Sequence, residues 1–236
     1  MKPLVIFDLD GTLLSAGRAG IESFAHAYTV ATGRPLELAT VRFAAMPEQA
    51  ILRQLVALAP EQTKVTRECL RRLYVAALSR AFVDSRARAL PGAGDVLARL
   101  VAAGASIRFA TGNSREVAEL KLASSGLTGV LAELGVAIDG GFGDSSEHKL
   151  EIVKQALPEG CDTTWGPISL VGDSPSDVEA ARALGLCAIA VCTGRFSAEE
   201  LRLAGADAMF DTLDDEEAVT SMLRGVRTYE DGTGTC

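Results

Sequence analysis

The stretch Leu4-Val5-Ile6-Phe7-Asp8-Leu9-Asp10-Gly11-Thr12 decides how the chain is read. Uncharged apolar residues lead into two carboxylates, one residue apart, and then into a Gly-Thr turn. The apolar run reads as a first strand over residues 4–8. Strand side chains alternate between faces, so Asp8 and Asp10 project to the same side where the strand ends. Carboxylates crowded in this way repel each other unless a cation or a shared proton relieves them. The pair points to a divalent metal, a nucleophile and a proton donor in one place.

Further along the chain, residues 17–88 carry helical spacing throughout. Ile21, Phe24, Ala25 and Tyr28 recur with it, then Ile51, Leu52, Leu55 and Leu58, then Leu70, Leu73 and Ala77. Pro35, Pro47 and Pro60 punctuate these helices, and no strand is expected among them. After Leu90-Pro91-Gly92 the character changes, and short apolar runs alternate with helical patterns. Strands are expected at 106–110, 168–171, 187–191 and 208–210, with a weaker one at 136–138. Helices are expected at about 93–103, from 113 to 125 with Gly126 as its stop, at 147–157, from 174 to 184, at 198–204 and at 214–224.

Repeated strand–helix units predict a parallel sheet covered on both faces. The fold class is therefore α/β. A doubly wound, Rossmann-like core is expected from residues 1–14 and 89–226, with an all-helical cap inserted at 15–88 and a frayed tail at 227–236.

Composition narrows the function. A hydrophobic content of 48% supports a substantial core, and the formal net charge of −8 disfavours nucleic acid or an anionic membrane as partner. A small anionic substrate stays compatible, because a bound cation inverts the local charge. The five cysteines show no CxxC spacing, and Met1-Lys2-Pro3 runs straight into the first strand without a secretory leader. A cytoplasmic protein with reduced thiols fits best. His26 and His148 are too few and too far apart for a zinc site.

Ligands of open α/β sheets bind beyond the carboxyl ends of the strands. Polar clusters fall at three such ends: Asp8/Asp10, Thr111/Gly112/Asn113 and Asp173/Asp177. In the second, Asn113 and Glu116 have the spacing of a capping box, and a helix start there offers an anion site. The alternative is an ordinary capped helix. In the third, Ser174 as N-cap and Pro175 after it make a strong helix start, with Asp177 in the first turn. Asp173 precedes that cap and points its carboxylate towards the site. A hard cation such as Mg²⁺ would be suited by Asp8, Asp173 and a backbone carbonyl.

Taken together, DLDGT near the start, ATGN after an inner strand, a later lysine, and GDSPSD resemble the four motifs of the haloacid dehalogenase superfamily. The helical insert resembles that superfamily's C1-type cap. The stretch VGDSPSDVEAARALGLCAIAVCTGRFSAEEL is similar to phosphoglycolate-phosphatase-like hydrolases.

The resemblance implies a Mg²⁺-dependent phosphatase acting on a small phosphorylated metabolite. It implies that Asp8 is the nucleophile and forms an aspartyl-phosphate. Asp10 is the general acid and base, and its backbone carbonyl binds the metal. Thr111, with the Gly112 and Asn113 backbone, holds the transferring phosphoryl group. Asp173 is the acidic metal ligand and Asp177 the second acid of that motif. Lys149 suits the third-motif lysine. Lys154 lies over a turn further from the strand end, and Lys121 is expected on the surface of its helix. Asp10 should have its pKa raised by burial under a closed cap, and its presence separates phosphoryl from halide chemistry. A β-phosphoglucomutase-like mutase would use the same residues, and a catalytically silent binding protein is the alternative of another class. For specificity, Arg18 is a candidate anion contact or a surface arginine, and residues 43–49 are a candidate substrate-facing loop.

Overall fold

The computed structural model of the protein describes residues 1–158 and 165–225. Cys161, the last expected core residue Val226 and the tail 227–236 lie outside them. The apolar run at the start forms β1 (Lys2–Phe7), whose Leu4, Val5, Ile6 and Phe7 are all fully buried. A strand buried on both faces belongs inside a parallel sheet, and β1 lies there. After it come a short strand β2 (Leu14–Ser15) and the helices α1 (Ala19–Thr32), α2 (Glu48–Leu58) and α3 (Arg67–Asp84). The chain returns through β3 (Arg88–Ala89). The strand–helix alternation then gives α4 (Ala93–Ala102), β4 (Ser106–Thr111), α5 (Arg115–Ser125), α6 (Leu127–Glu133), β5 (Gly140–Phe142) and α7 (Lys149–Ala156). It ends with β6 (Trp165–Gly172), α8 (Pro175–Ala183), β7 (Cys187–Val191), α9 (Ala198–Ala204), β8 (Ala208–Phe210) and α10 (Glu216–Arg224).

The six-stranded sheet has the order β5-β4-β1-β6-β7-β8 and is parallel throughout. Alternate residues of β1 feed opposite layers. Val5 and Phe7 join Leu97 and Leu100 of α4, Leu122 of α5 and Met222 of α10 in one apolar cluster. Leu4 and Ile6 join Ile152 and Val153 of α7, Val178 of α8 and Leu201 of α9 in another. The expected doubly wound architecture is thus the observed one.

A third cluster gathers Phe24 and Tyr28 of α1, Leu52 and Leu55 of α2, and Leu70, Tyr74 and Leu78 of α3, with Val117 of α5 reaching into it. These helices are threaded between β2 and β3, which pair antiparallel with Leu14 opposite Ala89 and Ser15 opposite Arg88. No strand is expected there from sequence, because two-residue strands have no periodicity to read.

Two further differences have local causes. Residues 136–138 are not a strand: Val136 and Ile138 pack against the first cluster from a loop, and the edge strand β5 follows at Gly140–Phe142. Its Gly-Gly start has little β-propensity, so the apolar pair upstream carried the signal. Gly126 stops α5 as expected but also starts α6, which the sequence reading lacks.

Phe109 of β4 is fully buried opposite Phe7, between strands and helices. Phe109→Ala should cost about 3–5 kcal/mol by urea unfolding. A loss under about 1 kcal/mol would mean that this layer is not the close-packed core described here.

Candidate active site

The chain places β1, β4 and β5 on one side and β6, β7 and β8 on the other, so the strand order reverses between β1 and β6. Ligands bind outside the carboxyl ends of strands at such a reversal. Asp8 directly follows β1 and Asp173 directly follows β6. Thr111 ends β4. All three line a cavity of about 340 Å³ roofed by residues of the helical insert.

Lys149, at the start of α7, joins the first and third sequence clusters. Its Nζ lies 2.8 Å from Asp8 Oδ1 and 2.7 Å from Asp177 Oδ1, and donates to the Ala110 carbonyl at 2.7 Å. Asp177 also completes the capping box of α8 with Ser174, as its first-turn position predicts. Its Oδ2 accepts from the Ser174 backbone at 3.2 Å and from the Ser174 hydroxyl at 2.5 Å. Both its oxygens are therefore engaged. Lys154, the rival lysine, pairs with Glu151 at 2.8 Å on the exposed side of the same helix.

The charges do not balance. One oxygen each of Asp8, Asp173 and Asp177 lie within 4.8 Å of one another, with the single ammonium of Lys149 between them. Burial raises the Asp8 pKa from 3.8 to about 6, although Lys149 opposes it. Burial, then the charges of Asp8 and Asp177, push Asp173 to about 8. Burial alone would lower the Lys149 pKa, but Asp177 and Asp8 outweigh it and the net shift is upward. Gly11, at φ +80°, turns the chain tightly enough that a Cβ there would strike the Asp173 carboxylate. Clustered hard oxygen donors with surplus negative charge fit a divalent cation.

Asp10 departs from expectation. Its carboxylate is 41% exposed rather than buried, and Lys121 Nζ lies 2.6 Å from its Oδ2. Lys121 is itself buried, contrary to the surface position expected for it. The reason is Asn113, whose Nδ2 donates to Asp10 Oδ2 at 2.7 Å and to Thr111 Oγ1 at 2.8 Å, while its Oδ1 accepts from Lys121 at 2.8 Å. The network needs Lys121 turned inward two helical turns after Asn113. A signal existed: Lys121 stands among Ala118 and Leu122 in the apolar spacing of α5 rather than on its charged face.

Because Asn113 is committed to that network, Ser114 becomes the N-cap of α5, and the expected box between Asn113 and Glu116 does not form. Glu116 pairs instead with Arg71 of α3 at 2.9 Å. The helix start is not left open to an anion either. Ser114 N–H donates to Glu48 Oε2 at 3.0 Å, and Arg115 N–H to Asp144 Oδ2 at 2.6 Å. Glu48 belongs to the insert, where it begins α2, and sequence reading gave it no role. Its own N–H donates to the Gly112 carbonyl at 2.7 Å. A Cβ on Gly112 would come within 2.9 Å of Pro47 Cα, so glycine permits this approach. Residues 43–48 of the candidate loop do line the cavity. Arg18 does not: its side chain is 77% exposed and pairs with Glu22.

A family model described as haloacid dehalogenase-like hydrolase matches residues 5–182, and a second, HAD-hydrolase-like, matches residues 151–216. The protein belongs to the haloacid dehalogenase-like hydrolase family. None of the curated proteins matches the chain. Among solved structures, the chain is similar to a CbbY variant from Rhodobacter sphaeroides in complex with xylulose-1,5-bisphosphate. That likeness has a TM-score of 0.72 and 19% identity, and covers 95% of this chain and all (100%) of the other. A predicted phosphatase from Clostridium acetobutylicum gives 0.70 and 22%, covering 94% and 99% of the two chains. A candidate β-phosphoglucomutase from Thermotoga maritima gives 0.59 and 22%, covering 94% and 98%. At these identities the likenesses establish the fold.

The carboxylate cluster ties stability to pH. Asp8 and Asp173 hold protons more tightly in the folded state than unfolded. The stability they contribute is full below the unfolded carboxylate range and is lost as pH rises towards about 8. The metal-free protein should therefore melt lower at about pH 8.5 than at about pH 5. Added Mg²⁺ should raise the melting temperature more at the higher pH, and Asp173→Asn should flatten the decline. Calorimetry with and without chelator checks all three, and a Mg²⁺ effect independent of pH would contradict the charge reading.

Proposed function

We propose that the protein is a Mg²⁺-dependent phosphomonoester hydrolase acting on a small phosphorylated metabolite in the cytoplasm, through an aspartyl-phosphate on Asp8. The observation that carries this reading is the meeting of Asp8, Lys149 and Asp173 at the sheet's switch point, with Thr111 at the adjacent strand end. No helix among the described residues is long and apolar enough to cross a membrane, and the net charge of −8 disfavours nucleic acid as partner. Residues 1–14 and 89–226 form the catalytic core in this reading, and 15–88 a cap that closes over it.

Asp8, Asp173 and the Asp10 backbone carbonyl would hold the Mg²⁺, which would offset charge on the phosphate oxygens. Asp177 stays behind them, because Lys149 and Ser174 already occupy its oxygens. Lys149 draws on Asp8 Oδ1, which leaves the other Asp8 oxygen to attack phosphorus. Thr111 donates its hydroxyl to a phosphoryl oxygen, with the Gly112 and Asn113 backbone beside it. As the phosphorus–oxygen bond of the ester breaks, the leaving oxygen takes a proton from Asp10. Asp10 then takes a proton from water, which attacks phosphorus and returns Asp8 free. Lys121 and Asn113 grip one Asp10 oxygen and so aim the other at the leaving group. A carboxylate nucleophile splits one hard hydrolysis into two easier steps, and fixed charges supply most of the help that phosphoryl transfer needs.

A second reading is a sugar-phosphate mutase, supported by the likeness to the Thermotoga protein. The mutase would return the phosphoryl group to another hydroxyl of the substrate and release little free phosphate.

Asp8→Asn should lower turnover at least about 10³-fold in a phosphatase screen with Mg²⁺ while the fold is kept; substantial remaining activity would sink the nucleophile assignment. Release of inorganic phosphate, one per ester consumed, separates hydrolase from mutase. Lys121→Met should lower kcat by about 10-fold or more with little change in KM, since it positions Asp10 without touching bound phosphate. An unchanged kcat would remove Lys121 from the mechanism.

A further inference from the structure

The two halves of the cavity differ in kind. The sheet half carries the aspartates together with Lys121, Lys149 and Arg195. Lys121 and Lys149 are engaged by Asp10, Asp8 and Asp177, and Arg195 adjoins Gly194, whose position packs on the Asp173 carboxylate. Every cation of the lining therefore belongs to the core side of the cavity and none to the insert. The insert half is built differently. Phe24 and Tyr74 stack with ring centroids 3.7 Å apart and an interplanar angle of 5°. Phe43 leans on Phe24 at 6.1 Å, and Ile21, Met46 and Ile51 extend the same wall. Among the described residues, no lysine, arginine or histidine of the insert lines the cavity.

The one charged side chain on this wall is Glu48. It is buried, and its Oε2 accepts from Ser114 N–H while Oε1 has no hydrogen-bond partner. A buried carboxylate beside an apolar wall disfavours a second negative charge brought there by repulsion, and the lining cation whose charge reaches Glu48, Lys121, is already held by Asp10.

We propose that the cavity selects phosphomonoesters of uncharged, apolar, ring-bearing alcohols and rejects esters that carry a second anion, whether carboxylate or phosphate. The inference rests on the phosphoester reading of the site. The phosphate is held at the strand ends, the ring lies against Phe24, Tyr74 and Phe43, and Glu48 bars the second anion. Phosphoglycolate and bisphosphates, small and doubly anionic, are poor fits to that wall.

Benzyl phosphate, 4-carbamoylbenzyl phosphate and 4-carboxybenzyl phosphate test it, because the last two differ in charge and hardly in shape. Calorimetric binding to the Asp8→Asn protein with Mg²⁺ should give dissociation constants for the first two at least tenfold below that of the carboxylate ester. Equal binding of carbamoyl and carboxylate esters would overturn the inference, as would no binding of benzyl phosphate at millimolar concentration. Ile21→Arg, or Ile51→Lys should the first fail to fold, places a cation on the wall and should bring the carbamoyl-to-carboxylate ratio towards one. An unchanged ratio in the folded variant would remove the insert wall as the source of selectivity. Wild-type turnover of the same esters is read separately. If none is hydrolysed while the binding order holds, the hydrolase reading fails and the selectivity stands. If all are hydrolysed with equal kcat/KM and bound equally, the selectivity fails and the hydrolase reading stands.

Discussion

Three carboxylates and one ammonium meet where β1 and β6 end, and much of the structure serves that imbalance. Asp8, Asp173 and Asp177 would not be brought this close by a chain seeking only stability, since Lys149 compensates one charge and burial penalises the rest. What holds them is the sheet. β1 and β6 are neighbours in parallel register, Val171 accepts from the Asp8 backbone, and α8 fixes Asp177 through its capping box. The core clusters on both faces of β1 supply the apolar burial that sustains a strained arrangement of charge.

Around this centre, a second set of polar contacts links sheet to insert. Asn113 ties Thr111, Asp10 and Lys121 into one unit. On its far side, Glu48 accepts from the N–H of Ser114, the N-cap of α5, and Glu116 and Glu147 reach Arg71, Arg53 and Arg67 of the insert helices. The insert is therefore seated by hydrogen bonds to the same helix start that adjoins Thr111 at the sheet end of the cavity. An insert seated on α5 in this way presents Pro47 and its loop to Gly112.

Much of this was legible in the sequence, for identifiable reasons. The strands β1, β7 and β8 were readable because buried apolar runs end at turn residues. The clustering of Asp8 and Asp173 at the strand ends was readable because a carboxylate after such a run has little structural excuse. Lys149 was separable from Lys154 by its place at the helix start. Asn113, Lys121 and Glu48 were not readable, because their parts depend on side chains meeting across long sequence distances. The spacing of Lys121 with Ala118 and Leu122 marks it as inward-facing, but its partner shows only when Asp10, far away in the chain, is folded against it. Asn113 has the spacing of a helix cap, and only a competing partner shows that the cap belongs to Ser114. The pair β2 and β3 is too short for any pattern.

That pair has a consequence for how such a molecule can change. Leu14 faces Ala89 and Ser15 faces Arg88, so the insert leaves and rejoins the core at one spot. The sheet is complete without it. The helices between supply no strand to that sheet, and Asp8 precedes the junction. In the proposed reading, reactivity would be stored in the sheet framework and selectivity in a cassette plugged into a two-residue socket, with Glu48 as the seam between them.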